Sequence, residues 1–290
     1  MIFTRDIEQA SHIVLIATSK ADSLCSASAF YTYLMRLHKK VTLYVNEKEL
    51  PQNLLFIPWF DKIKGSFPTS ADFVVCFGIT NQPLEIMACD KILNIDNSPK
   101  NNNYGTFNLV DLDSISISQV VFDFLSAEGI VLNPKMATAL YGGLIDGSRN
   151  FTQVSGTSFA FASTLIQNGA EHQKCVASIA HFRTLSMLRL KAIMLSKMQL
   201  KGDGTFACFV MDNNDFKASG AKEAHAMNTL EEVLYLPTVL HVLMVLLQDD
   251  EKMRVTLLAQ DFAEATEWIT EYKELDALVQ EIRLGIKDSN

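Results

Sequence analysis

Residues 11–34 read SHIVLIATSKADSLCSASAFYTYL. Within them Ile13–Ala17 (IVLIA) is an unbroken apolar run, closed by a polar turn at Thr18–Asp22. A short run with no period-two alternation marks a strand buried on both faces. The next stretch, Leu24–Leu37, contains no Pro or Gly and predicts a helix. The unit recurs: Val41–Val45, Phe73–Phe77 (FVVCF) and Lys91–Ile95 (KILNI) predict further strands. Helical patterns follow at Ser116–Ser126, Pro134–Leu144, Ser158–Asn168 and Glu171–Ala180, and Asn168-Gly169 is a stop signal for the third. Apolar strands alternating with helix-length segments predict the α/β class, with a mainly parallel sheet flanked by helices and covered on both faces.

Outward from this core, His181–Leu200 is rich in Leu, Met, Lys and Arg and predicts a long helix leading out of the first domain. Lys201-Gly202-Asp203-Gly204 is a turn. Thr205–Met211 (TFACFVM) and Arg254–Leu258 (RVTLL) predict strands, and Leu230–Leu236 and Phe262–Glu271 predict helices around them. The expected organisation is an α/β domain over 1–182, a connecting helix over 183–201 and a smaller α+β domain over 202–290. No internal repeat is evident.

Length and composition agree with this picture. In 290 residues, 25 Lys and Arg face 33 Asp and Glu, so the formal net charge is −8, and 48% of the residues are hydrophobic. A chain of this size buries roughly 70–75% of its extended surface, and its apolar content excludes disorder as a whole. With 13 Gly and 7 Pro, collagen-like and low-complexity classes are excluded too. The five Cys (Cys25, Cys76, Cys89, Cys175 and Cys208) are widely spaced with no CxxC pair, which suits buried thiols in a reducing compartment. The opening MIFTRDIEQA lacks the apolar segment of a secretion signal, and apolar runs such as Val239–Leu247 are too short to span a bilayer. The expectation is a cytoplasmic protein with no membrane partner. The negative charge disfavours passive attraction to duplex DNA without excluding a locally basic groove.

In open α/β sheets the ligand sits beyond the carboxyl ends of the strands. Three polar clusters fall at such places or at a helix end: Thr18–Ser23, then Asp96, Asn97 and Ser98, then Asp146, Gly147, Ser148 and Arg149. Carboxylates drawn together from distant sequence repel unless paired or bound to metal, so Asp22, Asp96 and Asp146 are candidate oxygen ligands for Mg²⁺ or Mn²⁺. The bland alternative for any one of them is a turn residue or helix cap. Lys20, Ser23, Asn97, Ser98, Ser148 and Arg149 also suit an anion pocket of cationic groups and hydroxyl donors near a helix start. Cys25 lies near a predicted helix start, where a thiol pKa can fall, but a buried thiol is the commoner case. Gly142-Gly143 suits close helix packing, Asn101–Tyr104 a surface turn, and the Leu/Met stripe from Met187 to Met198 a core or subunit contact.

The opening stretch resembles the first motif of the DHH phosphoesterases, the superfamily of RecJ-like nucleases, oligoribonucleases and manganese inorganic pyrophosphatases. Residues 92–125, ILNIDNSPKNNNYGTFNLVDLDSISISQVVFDFL, resemble the third motif. Residues 139–151, ALYGGLIDGSRNF, resemble the fourth, and TLIQNGAE at 164–171 continues the pattern. The order holds over residues 8–180. Residues 200–260 more weakly resemble part of the family's nucleic-acid-contacting C-terminal domain. The resemblance implies a two-metal site built from a first-motif His and two Asp, a second-motif Asp, the first His of Asp-His-His and a fourth-motif Asp.

This chain departs from that set. Asp22 matches the second Asp of the first motif, but Lys20 stands at the first, and His12 lies before the strand. Gly78 follows FVVCF where the second-motif Asp belongs, and Asp96-Asn97-Ser98 replaces Asp-His-His. Asp146 matches the fourth-motif Asp, and QDFAEATEWITEY follows Leu258 in place of a glycine-rich signature. Close metal ions need several anionic or imidazole ligands and a bridging carboxylate. A protonated Lys cannot ligate, but it can stand electrostatically for a cation.

Three functions follow as expectations. The first is a phosphoesterase-like protein that has lost two-metal hydrolysis, needs no cofactor, and binds a phosphate or nucleotide ligand or a partner. Its ligand-binding set is Lys20, Asp22, Ser23, Asp96, Asn97, Ser98, Asp146, Ser148 and Arg149, with Lys20 paired to a carboxylate. The second is a Mn²⁺- or Mg²⁺-dependent phosphoesterase acting on nucleotides or short oligonucleotides, with Asp22 and Asp146 as metal ligands. The third is a nucleic-acid-binding module using a cleft between domains. Expected partners are a phosphate-containing small molecule or short oligonucleotide and, from the resemblance and the apolar helix, a second copy in a homodimer.

Overall fold

A computed structural model describes residues 2–287 apart from 48, 87–88, 155, 249–251 and 261–264. Two compact units divide the chain, Met1–Phe182 and Arg183–Asn290. The first opens with α1 (Ile2–Gln9), β1 (His12–Ala17), α2 (Ala21–Arg36) and β2 (Lys40–Tyr44). It continues through β3 (Ile63–Lys64), β4 (Phe73–Phe77), β5 (Ile92–Asp96) and β6 (Phe107–Val110). Then come α3 (Ile117–Ala127), α4 (Pro134–Gly147), α5 (Ser158–Gln167) and α6 (His172–Ile179). Among the described residues, six strands form a wholly parallel sheet in the order β3-β2-β1-β4-β5-β6. The unbroken apolar runs of β1 and β4 occupy its centre, and every residue of both is buried.

Both faces of the sheet are covered as expected, one by helices and the other by connecting segments. Ile13, Leu15, Phe73, Val75, Phe77 and Leu93 point into a core shared with Ile7, Phe30, Phe124 and Leu140 of the helices. Val14, Ile16, Val74, Cys76 and Ile92 point the other way, against Phe67, Ile86 and Tyr104 from connecting segments.

Helix α2 has nearly all its residues buried, which its run of small side chains permits. Its hydroxyls are satisfied locally: Ser28 donates to the Pro58 carbonyl at 2.6 Å and Thr32 to the Ser28 carbonyl at 3.0 Å. Helix α4 packs close beside it through Gly142 and Gly143, as their spacing suggested. A Cβ on Gly143 would stand 1.8 Å from Ser118 Oγ and 2.6 Å from Asp22 Oδ1.

The second unit holds α7 (Leu185–Lys197), β7 (Gln199–Lys201), β8 (Phe206–Met211), α8 (Asn213–Ser219) and α9 (Ala226–Val233). It ends with β9 (His241–Leu247), β10 (Lys252–Ala259), β11 (Thr266–Glu271) and α10 (Leu275–Lys287). These strands form a mixed sheet in the order β11-β10-β9-β8-β7, with only β8 and β9 parallel. The predicted helix over 181–200 is shorter. Thr184 caps α7, whose Leu190 and Met194 join the core of this unit, and 199–201 are strand, so 183–201 is part of the unit and not a connector. The helix predicted at Phe262–Glu271 falls partly outside the described residues. From Thr266 onward the chain is strand, because pairing with β10 outweighs the weak helical signal of its acidic residues. No described helix is long and apolar enough to cross a membrane.

Replacing Gly143 by Ala forces a methyl into Ser118 and Asp22. The expected cost is about 1–3 kcal/mol, read as a lower urea midpoint at unchanged slope.

Candidate functional site

The chain leaves β1 toward β2 on one side and returns to β4 on the other, so β1 and β4 flank a topological switch point, where such sheets open a crevice. Lys20 follows β1, Gly78 follows β4, and Asn97 and Ser98 follow β5. The sequence expected Asp22 in a turn and Asp146 at the end of a helix. Instead α2 begins at Ala21 and α4 runs to Gly147, so each Asp sits inside a terminal turn. Helix initiation at Ala21 and the missing stop signal before Ser148 account for the shift.

Asp22 is 7% exposed, and its carboxylate is fully engaged. Oδ2 accepts the Ile117 N–H at 2.6 Å and Oδ1 accepts the Ser118 N–H at 3.0 Å. These are leading donors of α3, which have no carbonyl partner within their own helix. Asp146 does the same for α2, its Oδ2 accepting the Asp22 N–H at 3.0 Å. Each carboxylate thus caps a helix other than its own. Around them Ser26 Oγ and Ser118 Oγ lie 2.9 Å apart.

Burial, and then the Asp146 charge, push the Asp22 carboxyl up to about 7, against the hydrogen bonds from Ser118 and Ile117. Burial also raises Asp146, opposed by the Asp22 N–H and by the Lys20 charge. Lys20 stands exposed at the head of α2 and, among the described residues, makes no ion pair with either carboxylate. The expected Lys20 salt bridge is therefore corrected: no such pair forms among the described residues, although the Lys20 charge acts on Asp146 from nearby. Cys25 is fully buried, and burial with the nearby carboxylates holds its thiol well above the ordinary range, so it is no activated nucleophile.

The second-motif position is closed. Gly78 has φ +63°, and a Cβ there would stand 2.5 Å from Ile117 Cδ1. Asp96 ends β5 at 2% exposure. Its Oδ1 accepts the N–H groups of Asn97 at 2.8 Å and Ser98 at 3.3 Å, and its Oδ2 accepts Asn101 Nδ2 at 2.6 Å. Asn101, read from sequence as part of a surface turn, is instead 9% exposed and also bonds Asn94, which in turn donates to Asn108. Asn97 Nδ2 donates to the Ser114 carbonyl at 3.1 Å, and Ser98 Oγ accepts the Lys100 N–H at 3.2 Å.

Ser23 Oγ donates to the Phe77 carbonyl at 2.7 Å and accepts the Thr18 N–H at 3.0 Å, tying the ends of β1 and β4 together. Ser148 is fully buried and accepts the Phe151 N–H at 3.0 Å. Ser23, Asp96 and Ser148 are buried, and internal donors and acceptors engage their polar atoms. Arg149 is exposed just beyond α4. His12 opens β1 at the amino end of the sheet, its Nε2 2.9 Å from Thr42 Oγ1, away from the switch point. Sequence reasoning missed Ser118, Ser26, Asn94 and Asn101. An Asn inside a strand that must be buried was the available signal, since such an amide demands partners.

This arrangement does not fit a pair of metal ions. Asp22 and Asp96 already accept N–H groups on both oxygens, and Gly78, at the second-motif position, offers no side-chain ligand. Among the described residues no group of three or more His, Cys, Asp or Glu could hold a metal.

The Asp22 environment has a measurable consequence. Native Asp22 keeps its proton up to about pH 7, whereas the unfolded residue loses it near 3.8. Between these values the native state binds more protons, so stability falls as pH rises. Urea unfolding of wild type should lose stability relative to Asp22→Asn from pH 3.8 to about 7, and the difference should then level off. A constant difference would place the Asp22 pKa in the ordinary carboxylate range.

No family model matches the chain. Among solved structures, an exopolyphosphatase-related protein from Bacteroides fragilis superposes with a TM-score of 0.82 at 17% identity, covering 99% of this chain and 95% of that one. A Methanococcus jannaschii protein described as a putative family II inorganic pyrophosphatase gives a TM-score of 0.47 at 12% identity, covering 91% and 95%. RecJ from Thermus thermophilus, in complex with Mn²⁺, gives 0.49 at 13%, covering 88% of this chain and 46% of RecJ. The first of these likenesses shows the fold: the chain is built as that exopolyphosphatase-related protein is.

Proposed function

We propose that this chain is a phosphoesterase-like protein without two-metal hydrolysis that acts as a binding or interaction protein for a phosphate-bearing ligand. The observation that carries the reading is the engagement of both Asp22 oxygens by the leading N–H groups of α3. Turning Asp22 toward a cation would leave two buried donors unpaired, at about 1–3 kcal/mol each. The closed position at Gly78 points the same way.

Support for an anionic ligand comes from Lys20. Its ammonium stands at the carboxyl edge of the sheet, where the resemblance places the first Asp of a metal-binding pair. Thr18, Ser19, Asn97 and Ser98 lie partly exposed at the ends of β1 and β5, and Arg149 is exposed beyond α4. Cationic groups with hydroxyl and amide donors suit phosphate oxygens. The ligand makes its contacts through these residues, while Asp22 and Asp146 hold the helices that carry them.

Two measurements test the two halves of the reading. Hydrolysis of bis-p-nitrophenyl phosphate and of a short oligonucleotide, with excess Mn²⁺ or Mg²⁺, should be no faster for wild type than for Asp22→Ala/Asp146→Ala. Turnover above the double variant would show that hydrolysis survives. Calorimetric titration with inorganic pyrophosphate should detect binding that Lys20→Ala weakens about tenfold or more, as loss of a charge-assisted hydrogen bond does. No binding to folded wild type would remove the anionic ligand.

A further inference from the structure

The geometry points to a nucleobase-binding trough on the first unit, formed by α4, α5 and the turn between them. This deepens the phosphate-ligand reading and rests on it for the identity of the ligand's other end. The trough is a cavity of about 420 Å³ with an apolar lining, within the range of small-ligand sites. Its walls include the rings of Tyr141, Phe151 and Phe159 and the side chain of Ile166. The Phe151 and Phe159 rings lie within 13° of parallel at 5.8 Å, and Tyr141 meets Phe151 at 6.5 Å with a 44° tilt. Phe159 is 61% exposed and Ile166 48% exposed, so the aromatic surface is open to a ligand.

The backbone that places Phe151 is unusual. Arg149, Asn150 and Phe151 have φ of 47°, 57° and 64°, three successive side-chain-bearing residues in the left-handed region. Such residues persist only where the surroundings hold them, and they cluster at ligand sites. Here the Asn150 N–H donates to the Ile145 carbonyl at 2.8 Å and the Phe151 N–H to Ser148 Oγ at 3.0 Å. The turn carries Phe151 between Tyr141 and Phe159. Tyr141 is itself fixed, its hydroxyl 2.7 Å from His172 Nδ1.

The rim supplies recognition groups. Ser163 and Gln167 lie one turn apart on α5, both exposed, joined by a long bond of 3.4 Å from Gln167 Nε2 to Ser163 Oγ. That bond is readily exchanged for a ligand. A Gln amide presents a donor beside an acceptor, the pattern that pairs with the N6 and N7 edge of adenine. A flat ring with a polar edge is the ligand chemistry that this surface accepts, and stacking on aromatic side chains supplies its affinity. Arg149 lies on the same α4-to-turn segment as Tyr141 and Phe151, so a base contact and a phosphate contact share one structural element.

Calorimetric titration with adenosine, with ribose 5-phosphate and with AMP tests the assignment. Wild type should bind adenosine, and Phe159→Ala should weaken it roughly tenfold or more while leaving ribose 5-phosphate unchanged. Gln167→Ala should reduce the preference for adenosine over uridine. Lys20→Ala should show the converse pattern, losing ribose 5-phosphate and keeping adenosine. Phe159 and Gln167 are exposed, and circular dichroism establishes that their variants are folded. Adenosine binding that depends on Phe159, with no ribose 5-phosphate binding, would keep the trough and remove the phosphate site. No adenosine binding to folded wild type at millimolar concentration, or equal binding by Phe159→Ala, would overturn the trough.

Discussion

Two carboxylates, Asp22 buried and Asp146 half-buried, hold the centre of the first unit together by capping helices other than their own. Asp22 accepts the first donors of α3, and Asp146 accepts a donor of α2, the helix that carries Asp22. Helix N-termini leave several N–H groups unpaired, and in a buried setting those groups need acceptors. Asp22, with one oxygen for each, answers two at once. Three helices are thereby locked at the switch point of the sheet.

That relay constrains everything near it. Because Asp22 must reach α3, α4 must come close, and only Gly at 143 leaves room for Ser118 and Asp22. Because Ile117 follows the capped end, its side chain lands beside Gly78 and fills the crevice at the end of β4. Asp96 is held in the same manner, bound to the N–H groups that follow it and to Asn101. Asp22 and Asp96 are both turned inward as structural acceptors. Lys20 faces water at the sheet edge, beside the exposed Glu47, whose carboxylate accepts the Ser19 N–H at 3.1 Å.

Much of the first unit was legible because its strands are continuous apolar runs. FVVCF and IVLIA can be satisfied only when buried on both faces, and both lie in the middle of the parallel sheet. Gly142-Gly143 announced close packing and delivers it. Helix ends were read less well: Asp146 fell outside the helix predicted at Pro134–Leu144, which runs on to Gly147. In the second unit, 266–271 looked helical by composition and is strand because β10 offers it a hydrogen-bonded edge. The Leu/Met stripe of α7 divides, with Leu190 and Met194 in the core and Leu188 and Leu195 exposed.

The sequence by itself determined the parallel α/β core, the position of the polar clusters beyond its strands, and the departures from a metal-binding ligand set. These follow from residue type and local period, which a linear chain displays directly. Only the tertiary structure decided what the carboxylates do. Whether Asp22 faces a cation or caps α3 depends on where residues 117 and 118, about a hundred positions away, come to rest. An Asp side chain carries the same acceptors in either case, and burial beside unpaired N–H groups is the physical reason that it turns inward.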